Sequence, residues 1–171
     1  MSEQAYDVVV MGLGYIGLPT ASLLATKGMR VLGVDVKESV VATINEGAIH
    51  IVEPDLDVLV RSAVNSGNLS ASMEPVSAAI FILAVPTPFR DGHLPDTSFV
   101  ESATARIAPV LNAGDLVILE STSPVGTTDR VAEILSERRP DLVKGGERQF
   151  AVAHCPERVL PGRILLELVE N

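Results

Sequence analysis

An α/β fold, doubly wound around a mainly parallel sheet of six strands with helices on both faces, is what this sequence predicts. Two observations carry that prediction. Short strand-like apolar runs alternate with helix-like segments along the chain, joined by brief loops, which is the pattern of repeated βαβ units. The 171 residues are 47% hydrophobic but only 4% aromatic, so the core consists of Val, Ile, Leu and Ala, as a parallel sheet covered on both sides requires. A chain of this length fits one domain with a sizeable core.

Val8 to Met11 is the expected first strand, followed by a helix from Tyr15 to Lys27 that Gly28 stops. Val31 to Asp35 forms the second strand, and a helix follows over about Lys37 to Glu46. After the break at Glu53-Pro54 another helix covers Asp55 to Asn65 and ends at Ser66-Gly67. A short strand lies near Leu69 to Ala71, and the continuous apolar run Ala79 to Val85 reads as a strand buried on both faces. Pro86 to Pro95 is a Pro- and Gly-rich loop at the carboxyl end of that strand, with Asp96 as N-cap of a helix reaching about Asn112. Leu116 to Glu120 is a strand, Gly126 to Arg138 a helix and Pro140 to Gln149 the most polar, mobile loop. Phe150 to Ala153 is the last strand, followed by the exit loop His154-Cys-Pro-Glu157 and a helix-like tail from Gly162 to Asn171.

The glycines give the fold its chemistry. The run Asp7-Val-Val-Val-Met-Gly-Leu-Gly-Tyr-Ile-Gly17 places a G-x-G-x-x-G loop directly after an apolar strand, and Asp35 ends the next strand about twenty residues on. In that arrangement Gly12 turns the chain sharply, Gly14 leaves room for a pyrophosphate against the backbone, and Gly17 lets the helix pack on the sheet. The amides at the helix N-terminus then face the phosphates. The fold is therefore Rossmann-type. A carboxylate at Asp35 accepts hydrogen bonds from ribose hydroxyls and repels a 2′-phosphate, which favours NAD over NADP; capping of the next helix is its alternative role. Lys37 either lies over the adenosine or is a solvated helix-start lysine.

Further candidates cluster at the same carboxyl edge. Thr87, between Pro86 and Pro88, ends a buried strand and is positioned to meet the cofactor. Glu120-Ser-Thr-Ser-Pro-Val-Gly-Thr-Thr128 gathers hydroxyls at another strand end, with capping by Ser123 or Thr127 as the ordinary alternative. Glu157 follows Pro156 in the last exit loop, where a carboxylate can act as general base or position a water.

Composition excludes other classes. A net charge of −9 with no block of Lys or Arg argues against a nucleic-acid partner. No apolar stretch approaches the roughly eighteen residues of a membrane span, and the N-terminus has no positive leader region. Cys155 is the only cysteine, so no internal disulfide forms and a reducing cytoplasm is the expected compartment. With no suitable His–acid pair in sequence it reads as a buried, inert thiol. His50 and His93 form no metal-ligand spacing, so no metal is expected.

Several segments in order resemble the UDP-glucose/GDP-mannose dehydrogenase family, and its N-acetylmannosamine branch in particular. They are Gly12-Leu-Gly-Tyr-Ile-Gly-Leu-Pro19, Gly33-Val-Asp35, His50-Ile-Val-Glu-Pro54, Val85-Pro-Thr-Pro88, Glu120-Ser-Thr-Ser-Pro-Val-Gly126 and Cys155-Pro-Glu-Arg-Val-Leu-Pro-Gly162. The resemblance implies twofold oxidation of a sugar C6 alcohol to a carboxylate with two NAD, through a cysteine-bound thiohemiacetal and thioester. The substrate it implies is a UDP-sugar, UDP-N-acetylmannosamine, and the whole enzyme is expected to be a homodimer or higher oligomer. Carried over by position, Tyr15, Ile16, Asp35, Thr87 and Thr128 would contact NAD and Arg158 and Val159 the UDP-sugar. Thr122 and Glu157 would stand near the reacting centre, Glu157 helping water hydrolyse the thioester.

In that family the nucleophilic cysteine, a catalytic lysine and an asparagine lie downstream of the segment matched here. Residues 1–161 are accordingly expected to form the NAD-binding domain and 162–171 to start the helix leading to a central domain, with little dehydrogenase activity from these 171 residues alone. Two alternatives stay open: another UDP-sugar or hydroxyacid NAD-dependent dehydrogenase with the same glycine fingerprint, and a non-catalytic NAD-binding module.

Overall fold

The computed structural model describes residues 5–90, 94–156, 159–160 and 162–170. Six four-residue strands form one parallel sheet: β1 (Val8–Met11), β2 (Val31–Val34), β3 (Leu69–Ser72), β4 (Ile80–Leu83), β5 (Leu116–Leu119) and β6 (Ala151–His154). Their spatial order is β6-β5-β4-β1-β2-β3, with every neighbouring pair parallel. The helices are α1 (Gly17–Thr26), α2 (Glu38–Asn45), α3 (Leu56–Asn65), α4 (Ser98–Ile107), α5 (Thr127–Arg138) and α6 (Ile164–Glu170).

The apolar strands sort themselves between two cores because successive side chains point to opposite faces. Val8 and Val10 join Leu18, Ala21 and Ala25 of α1, Val40 and Ile44 of α2, and Leu56, Val60 and Ala63 of α3. Val9 and Met11 join Val100, Ala103 and Ile107 of α4 with Val131 and Leu135 of α5 on the other face. Both sides of β1 are thus covered, which explains a run of apolar residues in place of alternation. The buried positions of α3 and α4 recur at three- and four-residue spacing, as one helix face against a sheet demands.

Several boundaries differ from the sequence reading, each for a local reason. The helix after β4 does not reach Asn112: α4 ends at Ile107 and a single 3-10 turn covers Ala108–Val110, because Pro109 brings no N–H to continue the ladder. Its N-cap residue is Thr97, although the Asp96 carboxylate does accept the Ser98 N–H at 2.9 Å. The loop Pro86–Pro95 contains a two-residue antiparallel pairing of Phe89–Arg90 with Leu94–Pro95. In the polar stretch after α5, Val143–Lys144 pairs with Glu147–Arg148 across Gly145-Gly146, both at positive φ, the geometry a two-residue hairpin loop needs. Neither Ser123 nor Thr127 caps α5: Gly126 is its left-handed N-cap residue, and the Thr127 hydroxyl donates to the Pro124 carbonyl at 2.8 Å.

The crossing of β1 into α1 leaves no room for a side chain. Gly12 has φ +93°, and a Cβ on Gly17 would stand 1.8 Å from the Gly12 carbonyl oxygen. No rotamer change relieves a clash with backbone. A Cβ on Gly14, in contrast, has nothing within 4 Å. Gly17→Ala is therefore expected to destabilise the domain by about 3 kcal/mol or more, while Gly14→Ala stays within about 0.5 kcal/mol of the parent. Urea-unfolding midpoints of the two variants check this; equal midpoints would refute the close-approach account.

Candidate functional site

The strand order reverses between β1 and β4, whose last residues Met11 and Leu83 lie side by side. In open α/β sheets such a switch point leaves a crevice beyond the carboxyl ends of the strands. A cavity of about 620 Å³ lies there, within the range of ligand pockets. Its floor is Gly12, Gly14, Tyr15 and Ile16 after β1, with Asp35, Val36 and Lys37 after β2 on one side. Ala84 to Thr87 after β4 and Ser121-Thr122 after β5 close the other side.

Asp35 is fixed before any ligand arrives. Its Oδ2 accepts the Leu13 N–H at 3.0 Å and its Oδ1 accepts the Lys37 N–H at 3.0 Å. The carboxylate is thereby tied to the glycine loop and to the residue just before α2; it lines the groove without capping that helix, whose N-cap residue is Lys37. His50, from the loop between α2 and α3, stands at the same end. Burial pushes its imidazole below the ordinary 6.5, and Lys37 acts in the same direction, against Asp35 and a backbone hydrogen bond with Leu13.

At the other end the two exit loops brace each other. The Thr87 hydroxyl donates to the Thr122 carbonyl at 2.5 Å, and the Ser121 hydroxyl donates to the Val85 carbonyl at 2.6 Å. Behind them, Thr20 of α1 donates to Oε1 of buried Glu120 at 2.8 Å. The Thr122 side chain is exposed beside this junction.

The expected site residues are gathered unevenly. Gly12, Gly14, Tyr15, Ile16, Asp35, Thr87 and Thr122 line one cavity. Gly17 sits beneath it, against Gly12. Thr128 is half-buried in the first turn of α5 and Val159 is half-buried beyond β6, and neither is part of the cavity wall. Glu157, Arg158 and His93 lie outside the described residues. The expectation of a buried Cys155 is corrected: the thiol is exposed. It follows β6, an edge strand whose Ala151, Ala153 and His154 are themselves exposed. Among the described residues no cluster of three His, Cys, Asp or Glu side chains is suited to a metal, and no described helix is long and apolar enough to cross a membrane.

Two parts of the wall escaped the sequence reading. Phe99, Ser102, Ala103 and Arg106 of α4 all line the cavity, at the i, i+3, i+4, i+7 spacing of one helix face. Arg106 donates to the Met73 carbonyl and pairs with Glu74 at 3.2 Å. The spacing was present in the sequence, but it marks a helix face without saying whether that face meets a core or a groove. His50 belonged to a recognised motif, yet nothing in its neighbours places it near Asp35.

A cavity of this size with an open backbone cradle at Gly14 and a pinned carboxylate at one end fits a dinucleotide. Comparison with known proteins agrees. Residues 6–171 match the NAD-binding domain of the UDP-glucose/GDP-mannose dehydrogenase family. The chain belongs to this family. As such an NAD-binding domain, its cofactor is NAD.

An NDP-N-acetyl-D-galactosaminuronic acid dehydrogenase from Ralstonia nicotianae is 58% identical over 168 residues, covering 96% of this chain and 40% of the relative. A UDP-N-acetyl-D-mannosamine dehydrogenase from Escherichia coli is 54% identical over 168 residues, with the same coverage of 96% and 40%. The solved structure of a UDP-N-acetyl-mannosamine dehydrogenase from Staphylococcus aureus superposes with a TM-score of 0.89 at 40% identity, over 96% of this chain and 39% of that one. The chain thus spans about two fifths, 40%, of the length of the curated relatives it matches.

The environment of His50 gives a direct check of the groove's electrostatics. Its folded value is lowered, so as pH falls through 6.5 the unfolded chain takes up the proton first; the residue costs stability below that pH and nothing above it. A histidine-resolved NMR titration is expected to place its midpoint below 6.5. Asp35→Asn should lower the midpoint further and Lys37→Ala raise it, because the two charges act in opposite senses. A midpoint at or above 6.5 in the parent domain would contradict the geometry.

Proposed function

We propose that this chain is the cofactor-binding part of a UDP-sugar 6-dehydrogenase that oxidises the C6 alcohol of UDP-N-acetylmannosamine to a carboxylate with two NAD. The observation that carries the reading is the Asp35 carboxylate, held by the Leu13 and Lys37 amides at the end of β2 beside the glycine loop. The preference for an N-acetylated sugar is supported by the names of the Ralstonia and Escherichia coli relatives.

When bound, NAD supplies the hydride acceptor. The residues of this chain bind and orient. Asp35 accepts the adenosine ribose hydroxyls, with a charge-assisted bond stronger than a neutral one. Gly12, Gly14, Tyr15, Ile16 and Gly17 present backbone to the pyrophosphate at the start of α1. Thr87 and Thr128 add hydroxyl contacts from the β4 and β5 sides. Thr122 orients the reacting end, Arg158 and Val159 contact the UDP-sugar, and Glu157 assists the hydrolytic water. Residues 162–171 begin the helix that leads to a central domain, and the nucleophilic cysteine belongs to sequence outside this chain. The whole enzyme works as a homodimer or higher oligomer in the cytoplasm.

Calorimetric titration tests the cofactor half. Asp35→Ala is expected to weaken NAD about tenfold or more, the loss of hydrogen bonds to a charged group, and to narrow the preference over NADP. Unchanged NAD affinity would remove the observation on which the reading rests. The 171-residue chain mixed with NAD and UDP-N-acetylmannosamine is expected to produce essentially no NADH; turnover at about 1 s⁻¹ or faster, an ordinary enzyme rate, would overturn the division of labour.

A further inference from the structure

Glu53 is buried, at 5% exposure, in the loop between α2 and α3, and the cofactor reading gives it no task. Carboxylates are seldom buried without partners. Its partners come from more than a hundred residues away. Oε2 accepts the Gly162 N–H at 2.7 Å and Oε1 accepts the Ile164 N–H at 2.7 Å. Ile164 is the first residue of α6 and is 1% exposed. The opening amides of a helix lack acceptors within it; here a side chain from another segment supplies one for Ile164 and, with its second oxygen, one for Gly162 in the turn before the helix.

One further hydrogen bond makes this a clamp. Glu167, one turn into α6, turns back so that its Oε2 accepts the Leu160 N–H at 2.7 Å. Two carboxylates therefore hold the amides of residues 160, 162 and 164. Pro54 follows Glu53 directly and restricts the loop's own backbone, and the same loop carries His50 into the cofactor groove three residues earlier. A single short segment thus touches the cofactor cavity at one end and the start of α6 at the other.

We infer that Glu53 is a positioning residue for the sugar nucleotide. By gripping the amides of Gly162 and Ile164 it fixes the start of α6, whose Glu167 in turn holds the Leu160 amide, and so it places Val159, which the proposed function assigns to the UDP-sugar. The inference rests on that function. Apolar packing of Ile164 alone would attach the helix. A bidentate grip, in contrast, also fixes its position along and around its axis. Glu53→Gln separates the two effects: it keeps the volume but replaces one acceptor with an N–H donor facing an amide donor.

The test uses the full-length dehydrogenase that carries this domain, with Glu53→Gln and Glu53→Asp as variants. In Glu53→Gln the KM for UDP-N-acetylmannosamine is expected to rise about tenfold while the dissociation constant for NAD stays within about twofold, and Glu53→Asp, which restores both acceptors at shorter reach, falls between. Amide hydrogen exchange at Gly162 and Ile164 should quicken in parallel, even if the melting temperature drops. Faster exchange with an unchanged sugar KM would overturn the inference, as would an equal loss of NAD affinity, which would mean that Glu53 acts through the cofactor groove. A parent enzyme that binds NAD but shows no UDP-sugar turnover would instead defeat the functional reading, and with it the inference.

Discussion

The absence of room for a side chain where β1 gives way to α1 is the constraint from which the rest of the domain follows. A Cβ at Gly17 would meet the Gly12 carbonyl oxygen at 1.8 Å, and one at Gly12 would meet the Ala84 carbonyl oxygen at 2.7 Å. The close crossing brings Leu18, Ala21 and Ala25 down onto the sheet, where they complete one of the two cores. α3 packs on α1, and α6 packs on it as well. The position of three helices therefore depends on two residues without side chains. The same crossing presents the start of α1 to the cavity at the switch point, so the packing requirement and the binding requirement are met by one turn.

Much of this was legible in the sequence because it depends on local rules. Apolar runs such as Ile80–Leu83 read as buried strands, and the glycine fingerprint with Asp35 identified the groove before its walls were known. What was not legible depends on contacts distant in sequence. Phe99 and Arg106 line the groove only because the β4–α4 connection brings α4 across the sheet end. Glu53 looked like a helix boundary beside a proline, and its bonds to Gly162 and Ile164 span 109 and 111 residues. The want of a His–acid partner suggested a buried, inert thiol at Cys155, but it says nothing of exposure, and β6 is an outer strand with exposed side chains. The Gly145-Gly146 hairpin was missed although its turn residues were in plain view; overall polarity outweighed them.

The charge of the chain illustrates how local groups outweigh totals. A net charge of −9 should repel an anionic dinucleotide. Yet the groove wall carries Lys37 and Arg106, and its floor is backbone at the start of a helix. Charges farther from the groove than a screening length of about 8 Å at physiological ionic strength contribute little there. What the negative total does oppose is a long polyanion, whose many phosphates would have to lie against the acidic exterior as well as the groove.

The two amides that hold Asp35 have an effect on timing as well as on geometry. A free aspartate on a loop would have to give up its rotamers each time a nucleotide arrived. Here Leu13 and Lys37 have already removed that freedom, so the ordering entropy belongs to the folding of the chain and not to the encounter with the ligand. In the role proposed for it, Asp35 makes cofactor choice a property of the folded domain at rest. A 2′-phosphate would meet a negative charge that has no other rotamer to retreat to, and the selection would operate on first contact, before any part of the protein moves.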